Sequence, residues 1–181
     1  MTDSSAQNAN WSLKEEIRSH WSARAATFDD QFGHRIPPGP EREAWLQGFA
    51  ERLGPEPLDV LDLACGTGQI SGVLIELGHR VTGLDFSEAM LAKAREKHAG
   101  RARLILGDAE ATLEPDDEYD AVVCRHLVWT LTDPEAALAE WLRVLKPGGK
   151  LVVFDGDFVN PTLVGRLAKA AIGWIEQRSG T

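Results

Sequence analysis

Short apolar segments alternate with amphipathic segments along most of this sequence. The apolar segments cover residues 58–64, 80–84, 102–106, 119–124 and 150–154. Apolar runs of this length, without strict polar alternation, are typical of parallel strands that are buried on both faces. Because amphipathic segments separate most of these runs, we predict an α/β fold: a doubly wound parallel sheet of about five strands with helices on both faces.

Apolar residues at helical spacing fill much of the sequence between these runs. They predict helices at residues 11–27, 41–53, 69–77, 89–97, 135–145 and 158–177, and a short crossover at 125–131. In the first helix, Ser12 and Glu15 have the spacing of a capping box. The polar residues 1–9 before it are predicted to be disordered.

A glycine turn, Gly66-Thr67-Gly68, joins the first predicted strand directly to a helix. Glycines let the backbone approach a ligand closely, and the free N–H groups of the following helix would face that ligand. Such a turn alone also occurs in α/β proteins that bind nothing there. At the carboxyl end of a parallel sheet, however, it predicts a nucleotide or nucleoside site.

Two residues beside this turn argue against a dinucleotide. Ser71 stands three positions after Gly68, where the dinucleotide fingerprint has a third glycine. Asp62 lies on the strand four residues before Gly66, and its carboxylate would repel a pyrophosphate. The same carboxylate could brace the turn or face a cationic ligand.

Polar residues follow the next three predicted strands. Asp85 closes the second strand about twenty residues after the glycine turn, a spacing that suits hydrogen bonds to ribose hydroxyls. Asp108 follows the third strand and Arg125 the fourth. Because right-handed crossovers bring the carboxyl ends of parallel strands to one rim, we expect these side chains to meet there.

Composition narrows the classes of partner. The formal net charge of -9 argues against a nucleic-acid substrate, which would need a basic face. No apolar run is long enough to span a bilayer, and the first ten residues lack the pattern of a signal peptide, so we expect a cytoplasmic protein without a membrane partner. The two cysteines, Cys65 and Cys124, form neither a disulfide framework nor a zinc site, and we predict no metal.

Four segments taken together resemble the ordered motifs of class I S-adenosylmethionine-dependent methyltransferases. They are residues 62–68, 83–87, 107–110 and 145–149, and the similarity extends over about residues 58–155. Residues 20–29 resemble, more loosely, the N-terminal lid of that family. The resemblance implies a Rossmann-like fold that binds S-adenosylmethionine. It also implies two parts: a flexible segment and lid helix at residues 1–35, and the cofactor-binding domain at residues 36–181.

The same resemblance assigns residues to the cofactor. Gly66 and Gly68 would lie against its methionine and ribose portion, Ala64 beside them, and Asp62 near its amino group. Asp85 would bind both ribose hydroxyls. The remaining cofactor contacts would come from Phe86 beside the adenine, from Asp108 and Ala109 at its edge, and from Arg125.

Methyl transfer needs an acceptor held in line with the methyl group rather than a covalent nucleophile or a metal. His126 is the best-placed general base, and the alternative is a structural histidine at the start of the short crossover helix. Trp21, Arg24 and Trp129 are predicted to contact the acceptor. Arg125 could instead pair with an acceptor carboxylate or lie partly exposed at the rim.

The resemblance implies an enzyme that transfers a methyl group to an O, N or C nucleophile of a small molecule. Two alternatives stay open: a non-catalytic S-adenosylmethionine-binding protein or fragment, and a nicotinamide-dependent oxidoreductase. The family usually adds two antiparallel strands after the fifth, and the 26 residues after Asp155 leave no room for them. The strand at 150–154 is therefore expected at an edge, where it could pair with a second copy or lie under the last helix.

Overall fold

The computed structural model describes residues 4–31 and 33–155, with side chains from Leu13 onward. Its elements, in chain order, are α1 Ser4–Arg24, α2 Pro40–Leu53, β1 Asp59–Leu63, α3 Gln69–Glu76, β2 Arg80–Asp85, α4 Glu88–His98, β3 Ala102–Leu106, β4 Tyr119–Arg125, α5 Pro134–Val144 and β5 Leu145–Phe154. Two short 3-10 turns, Phe28–Asp30 and Val128–Thr130, follow α1 and β4.

All paired strands run parallel, in the order β3-β2-β1-β4-β5. The prediction of a doubly wound sheet of five strands is therefore confirmed. The chain winds outward from β1 to β3 and then returns to the other side of β1 with β4. This reversal between β1 and β4 leaves a crevice at the carboxyl ends of the strands, the usual place for a ligand in such sheets.

Two hydrophobic clusters hold the sheet between its helices. On one face, Trp141 of α5 packs with Leu61 and Leu63 of β1. On the other face, Phe49 of α2 packs with Val60. Because neighbouring side chains of a strand point to opposite faces, β1 contributes to both clusters, and it is buried from Val60 to Leu63.

Three local predictions are wrong. The first helix begins at Ser4, inside the segment expected to be disordered, so Ser12 lies within α1 and does not cap it. The crossover at 125–131 forms only a 3-10 turn, because His126 adopts a φ of 59°, outside the right-handed helical region. The fifth strand begins at Leu145, which was predicted to end the helix at 135–145, and residues 146–149 bulge within it, so that its register jumps from Tyr119↔Leu145 to Ala121↔Lys150.

β5 lies at one edge of the sheet that the structure describes, as expected for residues 150–154. Val153 on this strand is 40% exposed. Pairing of the edge with a second copy stays a prediction. The helix predicted at 158–177, which was one alternative cover for this edge, lies outside the described residues.

The glycine turn depends on the absence of a side chain at Gly68. This residue has a φ of 82°, and a Cβ added to it would lie 2.7 Å from the His98 ring. We expect Gly68→Ala to lower the free energy of unfolding by about 2–4 kcal/mol, through backbone strain and overpacking together. Urea denaturation would measure the loss.

Gly78→Ala is the matched control for that change. Gly78 has a similar φ of 87°, but no atom lies within 4 Å of an added Cβ. Its replacement by alanine should lower the free energy of unfolding by only about 1 kcal/mol, through backbone strain alone. Equal losses in the two variants would show that His98 does not restrict the turn.

Candidate functional site

A cavity of about 700 Å³ lies over the carboxyl ends of the strands. All but two of the predicted site residues line it: Asp62, Ala64, Gly66, Asp85, Phe86, Asp108, Ala109, Arg125, His126, Trp21 and Trp129. The topology thus brings together side chains that are distant in the sequence. The expectation that Asp62, Asp85, Asp108 and Arg125 meet at one rim agrees with their placement.

Gly68 and Arg24 are not among the lining residues. Gly68 is the residue before α3, and its Cα faces His98, whose ring donates a hydrogen bond of 2.8 Å to the Gly68 carbonyl. Arg24 directs its guanidinium to His20, with 2.8 Å between Nη1 and Nδ1, on an exposed side of α1. Gly68 therefore belongs to the turn without lining the cavity. Arg24 lies away from the cavity, where it was predicted to contact the methyl acceptor.

Asp85 fixes the glycine turn against the start of α4. Its Oδ2 accepts a hydrogen bond of 2.8 Å from the Gly66 N–H, and its Oδ1 accepts one of 2.8 Å from the Ser87 N–H. Burial raises the pKa of this carboxyl to about 6. Because a carboxylate oxygen can accept more than one hydrogen bond, Asp85 can still receive a ligand hydroxyl from the cavity.

Asp62 is a second buried carboxyl, 1% exposed, at the wall of the same cavity. Its Oδ2 accepts a hydrogen bond of 2.6 Å from the Ser71 hydroxyl. Burial, and then the charge of Asp85, raise the pKa of Asp62 to about 7. The serine at the third-glycine position thus holds the acidic residue, a pairing that sequence spacing alone could not reveal.

The raised pKa of Asp62 makes a testable contribution to stability. The folded chain holds this proton up to about pH 7, whereas the unfolded chain, with its ordinary pKa of 3.8, releases it much earlier. Ionising Asp62 therefore costs stability as pH rises from about 4 to 7, by about 1.4 kcal/mol for each unit of pKa difference. Asp62→Asn should be more stable than the parent chain at pH 8 and nearly equal to it at pH 4.

Denaturation of both chains across this pH range would measure the difference. Glu56→Gln removes an exposed carboxylate and serves as the matched control, with no expected gain at pH 8. A difference between the Asp62→Asn and parent chains that does not change with pH would contradict the assignment of a raised pKa to Asp62.

Lys14 of α1 reaches the turn after β3, a contact that sequence analysis missed. Its Nζ lies 2.6 Å from Asp108 Oδ2 and 2.8 Å from Glu110 Oε2. Glu110 also accepts a hydrogen bond of 2.6 Å from the Thr132 N–H. No motif marks a lysine on an amphipathic helix as a partner of a distant acidic turn.

The segment from α1 to the first 3-10 turn covers the cavity. Besides the turn after β3, it contacts the loops that follow β1 and β2. The Ser22 and Ser87 hydroxyls are 2.8 Å apart, and the Thr67 hydroxyl donates a 2.5 Å hydrogen bond to Asp29. This placement suits the predicted lid. The mobility of the lid and the division of the chain at residue 35 stay predictions.

Aromatic rings form an apolar wall on the lid side of the cavity. Trp21 meets Phe28 and Trp129 edge to face, with ring centroids 5.9 Å and 6.1 Å away. Trp129 is 45% exposed, so this wall reaches the mouth of the cavity. Such rings suit a flat apolar molecule.

His126 lies at the same cavity, immediately after β4. Its Nδ1 is 3.9 Å from Asp155 Oδ1. Burial and the neighbouring positive charge of Arg125 lower the pKa of His126, while Asp155 opposes the shift. The imidazole is therefore mainly neutral at pH 7 and able to accept a proton.

Arg125 lines the cavity, but its guanidinium is used by the protein itself. It donates hydrogen bonds to the carbonyls of Gly33 and His34 and lies over the Trp45 ring, 5.1 Å from the centroid. The side chain thus braces the loop before α2. The side chain is partly exposed at the rim, as the second alternative expected. Its pairing with an acceptor carboxylate stays a prediction.

Residues 4–31 and 33–155 show neither a candidate metal site nor a candidate membrane span. No group of three or more His, Cys, Asp and Glu side chains there could hold a metal ion. Cys65 and Cys124 are free and buried, and burial raises the pKa of both thiols. No helix in this part of the chain has the length and apolar character needed to cross a bilayer.

Comparison with known families and proteins gives consistent matches. A family model described as a methyltransferase domain matches residues 61–153. A demethylmenaquinone methyltransferase of Clavibacter sepedonicus is 44% identical over 109 residues, which cover 59% of this chain and 44% of that protein. A ubiquinone/menaquinone biosynthesis C-methyltransferase of Methylobacterium nodulans is 35% identical over 137 residues, 70% of this chain and 54% of that one. The chain spans about half the length of these curated relatives.

Solved structures share the fold. An S-adenosylmethionine-dependent methyltransferase from Aquifex aeolicus superposes with a TM-score of 0.64 at 20% identity, covering 83% of this chain and 87% of that one. The [4+2]-cyclase SpnF gives a TM-score of 0.63 at 24% identity, covering 75% and 58%. The glycopeptide N-methyltransferase MtfA is 30% identical, with a TM-score of 0.55 and coverage of 62% and 52%.

Proposed function

Because the chain belongs to the methyltransferase domain family, we propose that it transfers the methyl group of S-adenosylmethionine to a small-molecule nucleophile. The observation that carries this proposal is the pair of buried carboxyls, Asp62 and Asp85, beside a glycine turn in one cavity. A cofactor with a cationic amino group and a ribose diol would place its positive charge near Asp62 and its hydroxyls near Asp85. A pyrophosphate would add negative charge to them.

The remaining cofactor contacts follow from the lining of the cavity. Gly66 presents no side chain, so a ligand can approach the turn backbone closely. Phe86 and Ala109 offer apolar surface for an adenine, with Asp108 at its edge. Because Asp108 already binds Lys14, an adenine amino group would share that carboxylate with the lid.

The bound cofactor supplies an electrophilic methyl group. The chain must then hold an acceptor beside it, exclude water and remove a proton. The aromatic wall of Trp21, Phe28 and Trp129 would hold a flat ring, and neutral His126 would accept the proton of a ring hydroxyl. A ring deprotonated in this way is nucleophilic at oxygen and at the adjacent carbon.

The names of the relatives narrow the acceptor further. One of the curated proteins described above is named a demethylmenaquinone methyltransferase, and the other a ubiquinone/menaquinone biosynthesis C-methyltransferase. We therefore propose a reduced quinone ring as the acceptor and a ring carbon as the site of methylation. A homodimer through β5, a cytoplasmic location and the absence of nucleic-acid and membrane partners stay predictions from the sequence.

A binding protein without catalysis is the second candidate. The [4+2]-cyclase SpnF shares the fold but is named for a different reaction. The fold therefore does not itself require methyl transfer. The chain also spans only about half of its curated relatives. The nicotinamide alternative is weaker, because Ser71 is occupied in holding Asp62 where a third glycine would stand.

Methyl transfer can be tested on naphthalene-1,4-diol, kept reduced under anaerobic conditions, with S-adenosylmethionine labelled in its methyl group. We expect a labelled product one CH2 unit heavier, with one S-adenosylhomocysteine formed for each product molecule. Naphthalene, which has the same ring without hydroxyls, should give no product. Tight binding of S-adenosylhomocysteine without transfer to this or other hydroxylated rings would favour the binding protein.

A further inference from the structure

Two histidines from distant parts of the chain face each other at the cavity. His34 lies in the loop before α2, and His126 follows β4. Their ring centroids are 6.1 Å apart at an interplanar angle of 67°, and both residues line the cavity. No motif marks His34, and sequence analysis gave it no role.

The position of His34 is fixed from two sides. Its ring packs against Phe28, with centroids 4.2 Å apart. Its backbone carbonyl accepts a 3.4 Å hydrogen bond from Arg125, the residue immediately before His126. Arg125 thus ties the loop that carries His34 to the strand end that carries His126.

The spacing of the two rings suits a shared ligand atom rather than direct pairing. A ring nitrogen lies about 1.2 Å from its centroid, so nitrogens of the two rings are at least about 3.7 Å apart, beyond hydrogen-bond reach. An oxygen atom between the rings could bind both. A shared metal ion is not favoured, because the described residues supply no third ligand group around them.

Both rings are suited to bind a hydroxyl in complementary ways. Burial and the charge of Arg125 lower the pKa of each, while Asp29 opposes the shift at His34 and Asp155 opposes it at His126. A neutral imidazole has one N–H donor and one bare nitrogen acceptor. One ring can therefore donate to an oxygen while the other accepts its proton.

We propose that His34 positions the methyl acceptor, by donating its ring N–H to the acceptor hydroxyl whose proton passes to His126. The proton moves from oxygen to the His126 nitrogen, and the oxyanion that remains is held by His34. This assignment rests on the proposed methyltransferase function. It selects flat acceptors that carry a weakly acidic hydroxyl and disfavours rings that lack one.

The test compares 2-naphthol with naphthalene on the chain saturated with S-adenosylhomocysteine. We expect 2-naphthol to bind at least about tenfold more tightly, since naphthalene would cover the half-buried donor and acceptor of His34 and His126 without pairing them. His34→Phe keeps a ring on Phe28 but removes both nitrogens, and should abolish most of this preference. His34→Gln, which retains a donor, should restore part of it.

His20→Phe is the matched control, because His20 lies on α1 outside the cavity lining and should leave the preference unchanged. The histidine Cε1–H resonances give a second readout: 2-naphthol should shift two of them, and His34→Phe should remove one. An unchanged preference in His34→Phe, or no preference in the parent chain, overturns the role of His34 while cofactor binding still stands. Failure to bind S-adenosylhomocysteine would overturn the proposed function first, and the role of His34 with it.

Discussion

Replacing His126 is expected to lower the turnover of methyl transfer by about 10²–10⁴-fold, the usual contribution of a positioned general base. The imidazole lines the cavity, is mainly neutral because burial and Arg125 lower its pKa, and lies 3.9 Å from the Asp155 carboxylate. Asp155 would stabilise the imidazolium formed when the ring accepts a proton. Single-turnover transfer to naphthalene-1,4-diol would measure the loss.

His126→Asn is the sharpest form of this test. The residue has a φ of 59°, and asparagine tolerates this left-handed conformation better than alanine does. The variant should therefore keep the backbone path and the affinity for S-adenosylhomocysteine while losing the base. Turnover within about threefold of the parent chain would identify His126 as a structural histidine.

Asp85→Ala is expected to cost about 1–3 kcal/mol of cofactor binding, or about 5–150-fold in Kd. The substitution removes the proposed acceptor of the ribose hydroxyls. It also frees the Gly66 and Ser87 N–H groups, which Asp85 now binds at 2.8 Å each. Calorimetric titration with S-adenosylhomocysteine would measure the change, with Glu56→Ala as the control at an exposed carboxylate.

The two contributions of Asp85 can be separated by the choice of ligand. The parent chain should prefer 5′-methylthioadenosine to an analogue that lacks both ribose hydroxyls, and Asp85→Asn should weaken that preference while keeping an acceptor for the turn. An unchanged preference would show that Asp85 braces the turn without contacting the ribose. Unchanged affinity in Asp85→Ala would remove the residue from the site.

Much of the fold could be predicted because strands that are buried on both faces appear in the sequence as short continuous apolar runs. The run predicted at 102–106 coincides with β3, and that at 119–124 differs from β4 by one residue. The rim followed from topology, since parallel strands place their carboxyl ends together. Asp62, Asp85 and Asp108 could therefore be brought to one cavity without any knowledge of side-chain contacts.

Contacts made by helices and loops could not be predicted in this way. Lys14 and His34 line the cavity. The sequence around Lys14 predicts only an amphipathic helix, and that around His34 only a loop, so neither pattern indicates a contact with the site. Gly68 was assigned to the ligand from its motif, but the packing of His98 against it turns that face away. Arg125 was placed correctly at the rim, yet its bonds to the carbonyls of Gly33 and His34 depend on how the lid segment folds back.

Calorimetric titration of the 181-residue chain with S-adenosylhomocysteine, with NAD as the control, tests the proposed cofactor site most directly. The buried Asp62 and Asp85 carboxyls and the open glycine turn predict micromolar binding of S-adenosylhomocysteine at one site, and no measurable binding of NAD. Binding of NAD in preference to S-adenosylhomocysteine, or of neither, would contradict a methyltransferase site formed by this chain.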